Sequence, residues 1–174
     1  MAPGLPAELA SPPGDPTTNS KWRVDIDTAY DGTNGATVTT VWDQLRGMSD
    51  FTPALDNTIQ DASDYDTGLW GADAVTGRKW KGEATCLRKE YDGAEAGSVA
   101  YDKAQEFLRV AADEGRRVHV RWYERSDASG EAYEGIALVQ WDPQGGAPNG
   151  LSQVKITLLG QGPRIAVAVP TTTP

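Results

Sequence analysis

The sequence predicts a mainly β fold, a β-sandwich or open barrel of about seven strands with one flanking α-helix. Two observations carry this reading. Apolar and polar residues alternate with period two through most of the chain, and only one segment shows helical spacing. Turn dipeptides such as Asp31-Gly32, Asn34-Gly35 and Asn149-Gly150 separate the alternating runs.

The elements follow in order. Residues 1–20 contain Pro3, Pro6, Pro12, Pro13 and Pro16 among small residues, so they can support neither a helix nor a ladder and read as an extended arm. The ordered domain then spans 21–163. It opens with Trp22, Val24 and Ile26 alternating with Arg23, Asp25 and Asp27, a strand with one buried face. A looser Thr-, Val- and Trp-rich run over 36–48 is its hairpin partner. Residues 49–77 form a long acidic loop or hairpin excursion with Asp50, Asp56, Asp61, Asp64, Asp66 and Asp73 and no Lys or Arg. The excursion keeps Phe51, Leu55, Ile59, Tyr65, Leu69 and Trp70, apolar material that needs a surface to dock on.

A basic strand follows over 78–90, with Trp80, Ala84 and Cys86 on one face and Lys79, Lys81 and Glu83 on the other. The helix is expected over 99–114, where Ala100, Ala104, Phe107, Leu108 and Ala111 share a side, with Ser98 to cap its start and Gly115 its end. Strands over 118–125, 133–141 and 153–161 complete the domain, and 164–174 form a second, C-terminal arm.

Composition narrows the function classes. The 174 residues suit one domain, and 25 acidic against 16 basic side chains leave a net charge of −9, which opposes any grip on nucleic-acid phosphates. One cysteine, Cys86, and one histidine, His119, leave no internal disulfide and no Cys/His zinc cluster. The opening Met1-Ala2-Pro3-Gly4 lacks the basic start and apolar run of a signal peptide, and no stretch has the length to span a bilayer, so no membrane anchoring is expected.

The chemical motifs are sparse. His119 lies in Val118-His119-Val120-Arg121-Trp122 with no nucleophile motif nearby, and reads as an ordinary strand residue. Cys86 reads as a buried core thiol. The run from Asp61 to Gly68 superficially resembles a calcium loop, but its glycine is misplaced and no bidentate Glu follows. Arg116, Arg117, Arg121 and Arg125 read as a solvated mixed-charge edge beside Asp113, Glu114 and Glu124. Six Trp and six Tyr keep open a carbohydrate-binding sandwich, although Trp22, Trp80 and Trp122 fall on apolar strand faces and so favour the core.

The landmarks taken together carry a resemblance. Trp42, Gly47, Phe51-Thr52-Pro53, the acidic stretch with Asp61, Asp64 and Asp66, then Trp70 and Trp80 occur in an order similar to that of the major tail proteins of lambda-like long-tailed bacteriophages. In the second half, Tyr101 to Leu108 leading to Val118-His119-Val120-Arg121-Trp122-Tyr123, and the strand Tyr133 to Val139, resemble that family's helix and following strands. The match covers about 21–163.

The resemblance implies a structural virion protein with no catalytic residue, cofactor or metal. Such a subunit is made in the host cytoplasm, closes into homo-hexameric rings and stacks them into a tail tube through which DNA passes without specific binding. Its partners would be other copies of itself and the tape measure, tail tip and terminator proteins. The related alternatives are a tail terminator or a ring protein of an injection device. Under this reading Phe51, Leu55, Ile59, Tyr65, Trp70, Arg78, Lys79 and Lys81 are candidate inter-subunit or inter-ring contacts. The acidic excursion would pair with Arg78, Lys79 and Lys81, and Asp25 and Asp27 are candidate lumen-facing carboxylates that repel DNA.

Overall fold

Alternation in β1 (Trp22–Asp27) sends Val24 and Ile26 to a face where both are fully buried, and the same alternation recurs over residues 80–86 and 117–122. The computed structural model describes residues 22–33, 39–63, 71–92, 99–125 and 130–170. Among these, ten strands and one helix follow in the order β1, β2 (Trp42–Gln44), β3 (Met48–Asp61), β4 (Asp73–Leu87), β5 (Glu90–Asp92), β6 (Val99–Tyr101), α1 (Lys103–Asp113), β7 (Arg117–Glu124), β8 (Ala132–Gln144), β9 (Gln153–Gly160) and β10 (Ile165–Ala166).

Eight strands make one antiparallel sheet in the order β2-β1-β7-β8-β9-β4-β3, with β10 added on β8. The sheet curls on itself. β1 and β3 stand far apart in that order, yet the rings of Trp22 and Phe51 meet edge to face at 5.9 Å, and Trp80 of β4 meets Trp122 of β7 at 4.8 Å. A curled sheet buries its concave side-chain set, which here comprises Val24, Ile26, Trp80, Ala84, Cys86, Val118, Val120, Trp122, Val154, Ile156 and Leu158. The open-barrel expectation thus holds, with α1 packed on β8, β7 and β2 through Ala104, Leu108 and Ala111.

The helix is shorter than its sequence suggests. Residues 99–101 pair with β5 instead, and the cap is Asp102, whose extended backbone lets its carboxylate accept the Gln105 N–H at 3.2 Å; Ser98 lies outside the described residues. At the other end Gly115 takes φ +64°, with Gly115 N–H donating to Ala112 O and Arg116 N–H to Ala111 O, a Schellman closure.

Two further differences concern the excursion and the tail. β3 and β4 form a single hairpin, paired from Met48 to Asp61, that takes in both the acidic block and the basic strand, while among the described residues of the 36–48 run Trp42–Gln44 form β2 and Met48 opens β3. The C-terminal arm is anchored at its start, since β10 pairs with β8 and Val167 N–H donates to Ala132 O. The N-terminal arm, the Asn34-Gly35 turn and residues 171–174 lie outside the described residues.

Cys86 is fully buried, and that burial, aided by the charge of Asp102, pushes its thiol from the ordinary 9.0 up to about 12. A thiol reagent should therefore label Cys86 only as fast as the protein opens, and labelling should become immediate in denaturant. The sign for alkaline stability follows. The folded state holds the proton that the unfolded state releases, so stability falls as pH rises from about 9. Rapid labelling of the folded protein at neutral pH would contradict this.

Candidate interaction surfaces and a buried charge network

On the convex face of β1 and β7 the period-two pattern places polar groups, and the antiparallel register sets Asp25 opposite Arg121 and Arg23 opposite Tyr123. Asp25 is 1% exposed. Its Oδ1 accepts from Arg23 Nε at 2.9 Å, and its Oδ2 accepts from Arg121 Nη2 at 2.8 Å and from the Tyr123 hydroxyl at 3.2 Å. Burial, together with the Asp25 charge, raises the Tyr123 hydroxyl above the usual phenol range. Trp42 of β2 roofs the group, with the Arg121 guanidinium 4.3 Å from its ring centre.

Asp27 is 3% exposed and fastens the connection that leads from β1 to β2. Its Oδ1 accepts from the N–H groups of Ala29 and Val41, and its Oδ2 faces His119 Nδ1 at 3.3 Å. His119 also packs against Trp42, with ring centres 4.9 Å apart and planes inclined by 55°, and has Glu134 3.9 Å from its Nε2. An Asp–His pair becomes a catalytic relay only with a nucleophile on the histidine, and among the described residues no hydroxyl or thiol is hydrogen-bonded to His119. Nor do the described residues gather three His, Cys, Asp or Glu side chains able to hold a metal.

These positions correct two expectations. Asp25 and Asp27, buried within the single chain, cannot present free carboxylates to a bore. Arg121 is bound into their network and is no solvated edge, whereas Arg116 does lie beside an exposed acid, Glu114, with which it pairs.

The hairpin is the exposed feature. β9 flanks β4 only from Lys81 to Leu87, so beyond that point Leu55–Asp61 and Asp73–Trp80 continue as a two-stranded ribbon. On it Leu55 is 42%, Ile59 59% and Val75 49% exposed. The register pairs Leu55 with Trp80 and, past a bulge, Ile59 with Val75, so these apolar side chains prolong the core face beyond the body of the domain. Phe51 is different: at 5% exposure it belongs to the core, packed near Gly82 and Trp22, and is unavailable as an inter-subunit contact. Arg78 and Lys79 are exposed at the ribbon's root, whereas Lys81 pairs with Glu83 at 3.3 Å. Tyr65 and Trp70 lie outside the described residues.

No family model matches the chain, and no curated protein does. Solved structures do. A chain of the native gene transfer agent virion superposes with TM-score 0.63 at 12% identity, over 88% of this chain and 100% of that one. The SPP1 tail tube gives TM-score 0.63 at 14% identity, over 90% and 82%. The chain has the phage tail tube fold. The tail of the empty gene transfer agent particle, a structure of C6 symmetry, matches with TM-score 0.62 at 12% identity, over 88% and 100%. At such identity the tail tube fold is shared without its side chains, so the surfaces of this chain must be argued from its own residues. Among those described, no helix is long and apolar enough to cross a membrane.

Proposed function

We propose that the chain is a tail tube subunit whose copies close into six-membered rings, and that the rings stack into a conduit for DNA in a virion tail. The observation that carries this reading is the β3–β4 ribbon with its exposed Leu55, Ile59 and Val75. A free two-stranded ribbon is marginal in water, and an apolar stripe at its side gains free energy only when another surface covers it. Among the described residues the sheet also ends on β3, a long strand with no partner on its outer edge, next to that stripe. Ring closure removes such an edge. The shared fold and the C6 symmetry of a matching tail support the same arrangement.

The sugar-binding alternative loses two of its platforms, since Trp80 and Trp122 are 4% and 3% exposed with their ring centres packed 4.8 Å apart. The net charge of −9 suits a passage that does not hold DNA. Electron microscopy and light scattering of the purified protein across concentration test the proposal. Hollow tubes are expected; rings that never lengthen would favour a terminator role, and a monomer at every concentration, even with a tail tip complex added as nucleus, would overturn it. Leu55→Ser with Ile59→Ser should leave the fold intact and raise the concentration needed for assembly about tenfold or more, because two large apolar contacts of roughly 1.5 kcal/mol each are lost.

A further inference from the structure

At the root of the ribbon a cleft of about 710 Å³ is lined by Arg78, Lys79, Arg117 and the loop Gly160-Gln161-Gly162-Pro163. Three cations border it. Among the described residues neither Arg78 nor Lys79 makes an ion pair, although most other cations do: Arg23, Lys81, Arg88, Lys103, Arg109, Arg116, Arg121 and Lys155 all have carboxylate partners. Asp56 stands opposite Lys79 in the ladder, yet the two form no ion pair. Arg78 and Lys79 are thus adjacent, exposed cations beside a concave surface in a chain with nine more acids than bases.

The far end of the same ribbon has the opposite problem. Asp61 and Asp73 face each other as the last rung, a like-charge pair that destabilises a hairpin. Hydrogen bonds from Ser63 hold the Asp61 carboxyl below its usual range, so it stays ionised. In sequence, Asp64 and Asp66 follow with no base between Ser49 and Gly77.

Within one chain the Asp61–Asp73 rung stands far from Arg78 and Lys79. Six residues of extended strand separate Asp73 from Lys79, about 20 Å at roughly 3.4 Å per residue, and the ladder between them is broken by one bulge alone. We infer that the Arg78–Lys79–Arg117 cleft is the socket for the acidic ribbon tip of a second copy of this chain. Because the two surfaces differ, the contact is head-to-tail, the type that closes a ring or extends a filament according to the rotation between copies. This inference rests on the tail tube reading and refines it. It moves the basic partner of the acidic hairpin from Arg78, Lys79 and Lys81 to a cleft that includes Arg117 and the Gly160–Pro163 loop and excludes the Glu83-bound Lys81.

The test is charge reversal read by sedimentation and electron microscopy at several salt concentrations. Arg78→Glu with Lys79→Glu should raise the concentration needed for assembly about tenfold at low salt, less as salt screens the pairs. Asp61→Lys with Asp73→Lys should do the same, and mixing the two variants should restore mixed assemblies. All four side chains are exposed, so each variant should stay folded, with a urea midpoint at the wild-type value for Arg78→Glu with Lys79→Glu and only slightly lower where Asp61 gives up its bond from Ser63, separating lost contact from lost fold. Unchanged assembly of the Arg78/Lys79 variant at low salt overturns the socket and leaves the tube reading intact. A variant that assembles normally but differs from wild type in binding DNA would assign the cleft to phosphate instead. A wild type that never assembles removes both readings.

Discussion

Replacing Asp25 by alanine is expected to lower the unfolding free energy by about 3–5 kcal/mol, seen as a shift of the urea midpoint with an unchanged slope. The carboxylate is 1% exposed and accepts from two guanidinium groups and a phenol. Its removal leaves Arg23 and Arg121, 24% and 17% exposed at their side chains, facing each other across a vacated site. Their partial exposure lets water relieve some of the repulsion, which places the effect toward the lower end of the range. Asp25→Asn separates charge from shape. It fills the same space, and its amide oxygen can accept at most two of the three hydrogen bonds, so it should cost less than alanine yet more than about 1 kcal/mol. A further variant in which Asp25, Arg23 and Arg121 all become apolar should recover much of the loss, because the charges owe their desolvation cost to one another. An alanine variant within 1 kcal/mol of wild type would show that the network is a surface ornament and would reopen Asp25 to a role outside the single chain.

The misreading of Asp25 shows what a period-two pattern conveys and what it omits. Alternation correctly sets Val24 and Ile26 against Asp25 and Asp27, and the concave face emerges as predicted. The pattern cannot say what covers the other face. That depends on β7, whose Arg121 and Tyr123 lie 96 and 98 residues further along, and on Trp42 of β2 folded over them. Phe51 failed for a related reason. It sits in an acidic stretch that looks like surface, but the sheet's curl brings its ring to Trp22 from the far end of the strand order. Local signals served better where physics is local. Gly115 ends the helix as its position suggested, and Trp80, Ala84 and Cys86 share the buried face of β4. The helix start was missed because Asp102 and Ser98 are equally good caps, and only the β5–β6 pairing decides between them. The cleft at the ribbon root was partly legible, in that Arg78 and Lys79 stood out against the acidic block. Arg117 and the Gly160–Pro163 loop join them only through the order of strands.

Trp80→Ala should cost about 3–5 kcal/mol, or on the order of 10 °C in melting temperature for a domain of this size. The indole is 4% exposed, packs against Trp122 at 4.8 Å and donates its N–H to Gly162 O at 3.0 Å. It lies in a slot that only glycine leaves open. A Cβ built on Gly160 would stand 2.4 Å from Trp80 Cε2, and one on Gly135 would stand 2.7 Å from Cζ2. Gly160→Ala should therefore destabilise by about 1–3 kcal/mol or more through displacement of the indole. The two substitutions act on one space, so their sum should exceed the cost of the double variant by at least about 1 kcal/mol; additive costs would mean that the indole does not depend on the glycine. The slot matters beyond stability. Leu55↔Trp80 is the ribbon's first rung past the last β4–β9 pair, Lys81↔Leu159, and the Gly162 carbonyl that holds the indole belongs to the loop lining the basic cleft. Gly160→Ala should thus loosen the ribbon's root and the cleft together, and assembly should weaken at temperatures where the domain is still folded. Normal assembly by a destabilised Gly160→Ala protein would show that the ribbon takes its direction from the neighbouring subunit and not from this slot.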